Sequence, residues 1–476
     1  MRLLYKCPIL LLSAGLLLGI LSCGSTPSGL TAPPVIEEEQ LTDSTITLLL
    51  SISELLDQED FDSALDLFEA IEEENAENME IRLLRAAVLI SAGRTREARL
   101  ITGEILNSYP DYIPALLVLA AVEESQGRNR EQRAALERVL RLEPNNVQAL
   151  VSMGNFLIRN NNTRQAGAFF DRALAVDPGD GDALLGRAWV YRNNRDSQNA
   201  RVLLDRAVEL YPDWSRPIHE RGRLLKATGS HRAALEDLNR ANALDPGNYF
   251  IIFDRADAFR LLGQREEALT DLERAIAIDP ANFAAYVYSA SLRDELGDHD
   301  GAMADYQTLT RLNPDYYFAF EGLGIHLMRR GEWLAAKDAF VEAYNRAVRM
   351  NHSREDEGSF ALLASVNWLR GARVQDVRPF MDQVLRRLDR NSVDHRLLRL
   401  FRDQAGDLDV SNRIDRERDP AIKSRMLFYL AQYYDIRGNT NLANRFFLQV
   451  KDINITTSNE WRINEWILEE RGLALR

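Results

Sequence analysis

Pro110, Pro144, Pro178, Pro212, Pro246, Pro280 and Pro314 follow one another at intervals of 34 residues, and they are seven of the fifteen prolines in the 476-residue chain. The words leading into them repeat as well: ALEDLNRANALDP at 234–246 returns as ALTDLERAIAIDP at 268–280. A fixed internal period of this length means a stacked array in which each repeat is one supersecondary unit. With the proline at repeat position 32, frames run 79–112, 113–146, 147–180, 181–214, 215–248, 249–282 and 283–316. Each frame reads as two helices, the second stopped by the proline, which has no N–H to continue it.

Other positions of the frame carry the packing. Position 8 is Ala86, Ala120, Gly154, Ala188, Gly222, Ala256, Ala290 and, one frame on, Gly324. Small side chains there let two helices approach closely, since interaxial distance is set by the residues at the contact. Position 20 is alanine in most frames (Ala98, Ala166, Ala200, Ala234, Ala268, Ala302, Ala336), whereas position 24 is large and apolar (Leu136, Phe170, Leu204, Leu238, Leu272, Tyr306, Phe340). Position 15 is Gly93, Gly127, Gly229, Gly263, Gly297 and Gly331, suited to the left-handed residue that ends a helix. Frames 147–180 and 181–214 put Asn161 and Arg195 there instead, among asparagines that tolerate the same turn.

A small position 8, alanine at 20, a bulky 24, frequent alanine at 27 (Ala173, Ala207, Ala241, Ala275, Ala343) and proline at 32 resemble the tetratricopeptide repeat. The resemblance implies an all-α, right-handed superhelical solenoid of antiparallel helix pairs. The frame extends back to 45–78, with Ala64 and Phe68 in place, and forward to 317–350, giving nine units over residues 45–350, the first degenerate. Residues 351–423 read as an irregular helical region. The pattern returns in 424–457 (Ala431, Gly438, Ala443, Phe447), so 424–476 is expected to hold one further unit and a capping helix near Trp461–Glu470.

The first residues carry a different message. Arg2 and Lys6 precede the apolar run Cys7–Leu21, the layout of an export signal over residues 1–22. Its end, Ile20-Leu21-Ser22-Cys23-Gly24, resembles the lipobox of bacterial lipoproteins, which implies lipidation of Cys23 and a membrane anchor. Residues 23–44, rich in Gly, Ser, Pro and Glu, read as a flexible tether. With Cys7 removed, Cys23 is the remaining cysteine, so no intrachain disulfide can form. Loss of Arg2 and Lys6 takes the formal charge from −14 to −16, which argues against nucleic acid as a partner. The expected location is the cell membrane or outer membrane, with the body periplasmic or surface-facing.

No HExxH, P-loop, CxxC or GxSxG pattern occurs, so the chain is expected not to be an enzyme and to need no cofactor. The six histidines lack the helix-face spacing of metal ligands, and no metal is expected. Arg187, Arg221 and Arg255 recur at position 7, two of them in frames with aspartate at position 23 (Asp237, Asp271), which suggests ion pairs between helices.

The resemblance implies that positions 2, 5, 9, 12 and 13 of the first helices line a concave face. There the sequence places Arg159, Arg192, Arg216, His219, Arg223, Lys226 and Arg260, with Trp189, Phe250 and Phe253 as apolar neighbours. Guanidinium forks can clamp carboxylates while aromatic rings supply buried area. Glu220, Asp254 and Asp257 lie close enough to neutralise them. The expectation is a lipid-anchored scaffold that binds an envelope protein or acidic peptide segment. The alternative is a binding or transporter-associated component that captures a small acidic ligand.

Overall fold

The computed structural model describes residues 43–58, 60–71 and 78–474; the signal, Cys23 and the tether as far as residue 42 lie outside these residues, while Asp43 and Ser44 belong to the first helix, Asp43–Asp57. Among the described residues there are twenty-five helices and no strand. The chain divides into two compact units, residues 1–229 and 230–476.

In the first unit the 34-residue frame becomes geometry. First helices occupy positions 1–13, as in Val147–Arg159 and Gly181–Asn193, and second helices positions 17–30, as in Thr163–Val176 and Ser197–Leu210. Asn78, Asn146 and Asp180, at position 34, cap first helices by accepting backbone N–H bonds; Asn162 and Asp196 do so for second helices. The corner at position 15 is left-handed even without glycine: φ is +58° at Asn161 and +62° at Arg195.

Phe170 explains the small residues. It is fully buried, and a Cβ added to Gly154 in its own repeat would fall 2.6 Å from its ring, one added to Gly186 of the next repeat 2.4 Å. The ring is therefore gripped from both sides, and glycine at these two places is what lets helices close on it. A second ladder binds successive repeats: Arg187 reaches back to Asp171 at 2.7 Å and Arg221 to Asp205 at 3.1 Å. Both of these aspartates stand at position 25 of the preceding repeat. The apolar interior of this unit comes as serial clusters: one around Leu49–Val122, the next around Leu116–Val190, then a smaller one around Leu185–Leu224.

The second unit begins in the same style. Arg255 grips Asp271 at position 23 through two bonds of 2.7 Å, as the sequence suggests, and also touches Asn239 at 3.2 Å. After the long helix Trp333–Arg349 the frame lapses. Helices Arg354–Gly371, Val374–Leu385, Val393–Asp403 and Asp407–Arg416 follow, then the pair Pro420–Ile436 and Thr440–Ile453. One continuous apolar core runs from Tyr317 through Phe360, Phe401 and Phe428 to Leu468. The last helix, Asn459–Glu470, packs both on Pro420–Ile436 and on Tyr317–Arg329, a first helix far earlier in the chain. It therefore does more than close an end. No helix among the described residues is long and apolar enough to cross a membrane.

Candidate protein-binding face

The face built by first helices is charged, and its charges are organised between repeats. In the first unit Arg159 meets Glu124 at 2.7 Å and donates to Gln132 at 3.2 Å; Gln132 in turn donates to Glu124 at 2.7 Å. Arg216 donates to Asp182, the same position one repeat earlier, at 2.9 Å. Arg192 and Arg223 converge on one carboxylate, Glu220, at 2.5 and 3.1 Å. Burial pushes the Glu220 carboxyl up, but Arg192, Arg223 and His219 outweigh it and hold it below the usual range. At Glu124 burial wins, and its carboxyl is raised despite Arg159.

The predicted cations thus stand on first helices, Arg159 and Arg216 in separate ion pairs and Arg192, Arg223 and His219 around the shared Glu220. His219 is buried and Lys226 half-buried. Trp189 is half-buried against the apolar cluster around Phe170, and Arg216 lies over the Trp214 ring at 5.9 Å. Such pairs are screened and individually weak at the surface, but two guanidiniums sharing one half-buried carboxylate bring two planar cations together at one place.

In the second unit Phe250 is 37% exposed, the largest opening among the predicted aromatics. Phe253 stacks on Tyr249 at 5.7 Å and meets Tyr288 edge-on at 5.4 Å. Arg260 lies over the same Tyr288 ring at 5.4 Å and pairs with Asp257 at 2.7 Å. Further along, residues at equivalent positions are already covered. Asn459 of the last helix donates to Glu321 at 2.7 Å, Arg462 reaches Asp294 at 3.2 Å, and Arg329 lies over the Trp466 ring at 4.8 Å. This part of the first-helix face holds a helix of the chain itself. Sequence reasoning did not foresee that occupant, because nothing in Asn459–Glu470 names a partner 138 residues away. The Asp182–Arg216 pair was also missed, although its signal was available: both stand at position 2 of successive frames.

Family models of the tetratricopeptide repeat match residues 55–122, 157–219 and 253–317. The chain is a tetratricopeptide-repeat protein. Repeats of this kind are scaffolds for protein–protein contact, so the partner class of this tetratricopeptide-repeat chain is a protein or peptide. Among solved structures it is similar to one described as the functional characterization of Pseudomonas aeruginosa pilF, at 18% identity over 42% of this chain and 92% of that one, with a TM-score of 0.40. It is also similar to YrrB, described as a TPR protein with an unusual peptide-binding site (20% identity, 39% and 96% covered, TM-score 0.34). The Cut9 and Hcn1 assembly of the APC/C is similar at 15% identity, 64% and 61% covered, with a TM-score of 0.48. At these scores the likenesses carry no argument about function. No curated protein matches the chain.

Proposed function

We propose that this tetratricopeptide-repeat protein is a lipid-anchored scaffold of the bacterial cell envelope, tethered through Cys23, that recruits an envelope protein through the first-helix faces of its repeats. The anchor rests on the sequence Leu21-Ser22-Cys23-Gly24 behind an apolar run. The carrying observation for recruitment is the convergence of two guanidiniums, Arg192 and Arg223, from the first helices of successive repeats on the single carboxylate of Glu220, with Trp189 one helical turn before Arg192. An acidic segment of a partner can join such a network by adding carboxylates to it, and a planar guanidinium accepts them in fixed geometry. A peptide suits this arrangement better than a small acid, because the cations are spread along successive first helices.

The test is photocrosslinking in intact cells. A photoreactive side chain at position 226 should capture a small, reproducible set of envelope proteins, and the same probe at Glu209, on the exposed side of a second helix, should not. Equal capture from both positions, or none from 226, would overturn the recruiting face. Cys23→Ser should move the protein from the membrane fraction to the soluble one; an unchanged distribution would remove the anchor from the proposal.

A further inference from the structure

The second unit contains a group of side chains that the scaffold reading does not use. Asp294 lies near the end of helix Phe283–Leu296, His299 opens helix His299–Leu312, and His326 stands in helix Tyr317–Arg329. One ligand atom from each of the three lies within 4.8 Å of the other two. His326 is only 2% exposed. Its Nε2 sits 2.7 Å from Oδ1 of Asp294; burial raises that carboxyl, but His326 together with Arg462 outweighs it and holds it below its usual range. Among the described residues, Nδ1 of His326 and Nδ1 of His299 are buried with no hydrogen-bond partner. Leaving two buried polar atoms unsatisfied in one place costs about 1–3 kcal/mol each, so their convergence asks for an explanation.

The other oxygen of Asp294 supplies a clue. Oδ2 accepts from the Tyr306 hydroxyl at 3.0 Å and faces Arg462 at 3.2 Å. The carboxylate is thus held from behind, with Oδ1 turned to the histidines. Outer hydrogen bonds of this sort orient ligating carboxylates. The Trp466 ring packs against both imidazoles, with centroids 5.6 and 6.1 Å away, and limits their rotation. A cavity of 360 Å³ adjoins the group, lined by His299 and His326 together with Asp298, Asp300, Arg329 and Arg330. The two aspartates offset the two arginines.

We infer that Asp294, His299 and His326 form a binding site for a divalent transition-metal cation of the zinc type, with its fourth coordination position open to this cavity. Two imidazoles and one carboxylate suit zinc and its neighbours, whereas calcium and magnesium take sets of oxygen ligands. In a tetrahedral site with metal–ligand bonds of about 2.0–2.1 Å, the ligand atoms stand about 3.3 Å apart, inside the 2.7–4.8 Å range found here. One cation would draw on all three side chains at once and would link three helices beside the docked helix Asn459–Glu470. Three protein ligands with one position open permit an exogenous ligand, water or a partner's side chain, to complete the shell.

The deciding experiment uses the untagged full chain, stripped with a chelator and titrated calorimetrically with Zn²⁺ alone. Co²⁺ is added in parallel, because its visible absorption reports four-coordination. The expected result is one saturable site of micromolar affinity or tighter. His299→Gln, at a half-buried position, should weaken it at least tenfold without altering the helical circular dichroism or melting of the metal-free protein. His231→Gln, outside the site, should leave affinity unchanged. Absence of saturable binding, or undiminished binding by His299→Gln, would overturn the site. His326→Gln is a secondary variant, since so buried a position can disturb folding by itself.

Discussion

Two regions of the molecule use the same helical motif and satisfy its charged face in opposite ways. In the first unit, over residues 113–229, the face is bound to itself: Glu124 to Arg159, Asp182 to Arg216, Glu220 to Arg192 and Arg223. In the second unit, Asp294 and Glu321 are met by Arg462 and Asn459 of a helix that returns from the end of the fold. The first arrangement leaves the face available to a partner; the second fills it. The interiors differ in the same sense. Serial apolar clusters run through the first unit and the opening repeats of the second, and one continuous core takes over from Tyr317. A repeat face is therefore not a binding site by virtue of being one; its occupant has to be read from the charges opposite it.

The strongest way to break this comparison is to damage a local joint. Phe170→Ala removes the ring gripped by Gly154 and Gly186 and should cost about 3–5 kcal/mol. Because repeat stability is close to a sum of nearest-neighbour terms, the loss should appear as faster amide exchange in residues 147–190, with helices Pro420–Ile436 and Asn459–Glu470 keeping their protection. Loss of protection in both units together would mean that the first region is not locally built.

Next comes the filled face. Burial lifts the Glu321 carboxyl from 4.5 to about 7, with the Asn459 side chain pulling the other way. The folded state then holds a proton that the unfolded state has released, so this group's contribution is fully present below about pH 4.5 and is lost as pH rises through 7. Docking of Asn459–Glu470 should tighten on acidification from pH 8 to pH 5.5 by roughly 1–3 kcal/mol, the upper end applying to full burial. Glu321→Gln should flatten that dependence and protect the helix at pH 8, as read by hydrogen exchange.

The open face should respond less. Glu220→Gln leaves Arg192 and Arg223 without their shared carboxylate and should destabilise the protein by about 1 kcal/mol, a figure kept low by the partial exposure of all three groups. It should also strengthen capture of an acidic test peptide, most visibly at low salt. Weaker capture would mean that Glu220 itself contacts the ligand. The smallest effect belongs to the corner at Arg195. Its φ of +62° is strained for a residue with a Cβ, so Arg195→Gly should raise stability by about 0.5–1 kcal/mol. Asn161→Gly should give less, because asparagine tolerates this conformation better. Both are measured by urea denaturation.

The repeat architecture was legible because a period of 34 fixes what meets what. Small residues at position 8 and bulky ones at 24 read directly as the Gly154–Phe170 contact, and Asn161 and Arg195 turned left-handed on the strength of their place in the frame. What lies outside the period was not legible. Asn459–Glu470 has aromatic and charged residues without a register, and its partners are set by how the intervening helices turn. The reading of ion pairs at position 23 named no partner for Arg187 and did not include the aspartates at position 25 of the preceding repeat, Asp171 and Asp205, that meet Arg187 and Arg221. The grouping of Asp294, His299 and His326 has no signature along the sequence, because the three residues come from three different helices.

The bond between Asn459 and Glu321 spans 138 residues, and it alters how the second unit can come apart. A simple stack frays from its ends, one repeat at a time, since each repeat touches only its neighbours. Once a late helix is fastened to an early one the stack becomes a loop without a loose end, and opening any part must first release the fastening. During synthesis that helix emerges after every segment it secures. The second unit therefore gains its resistance to unravelling in a single late step, whereas the first can acquire its own gradually as each repeat appears.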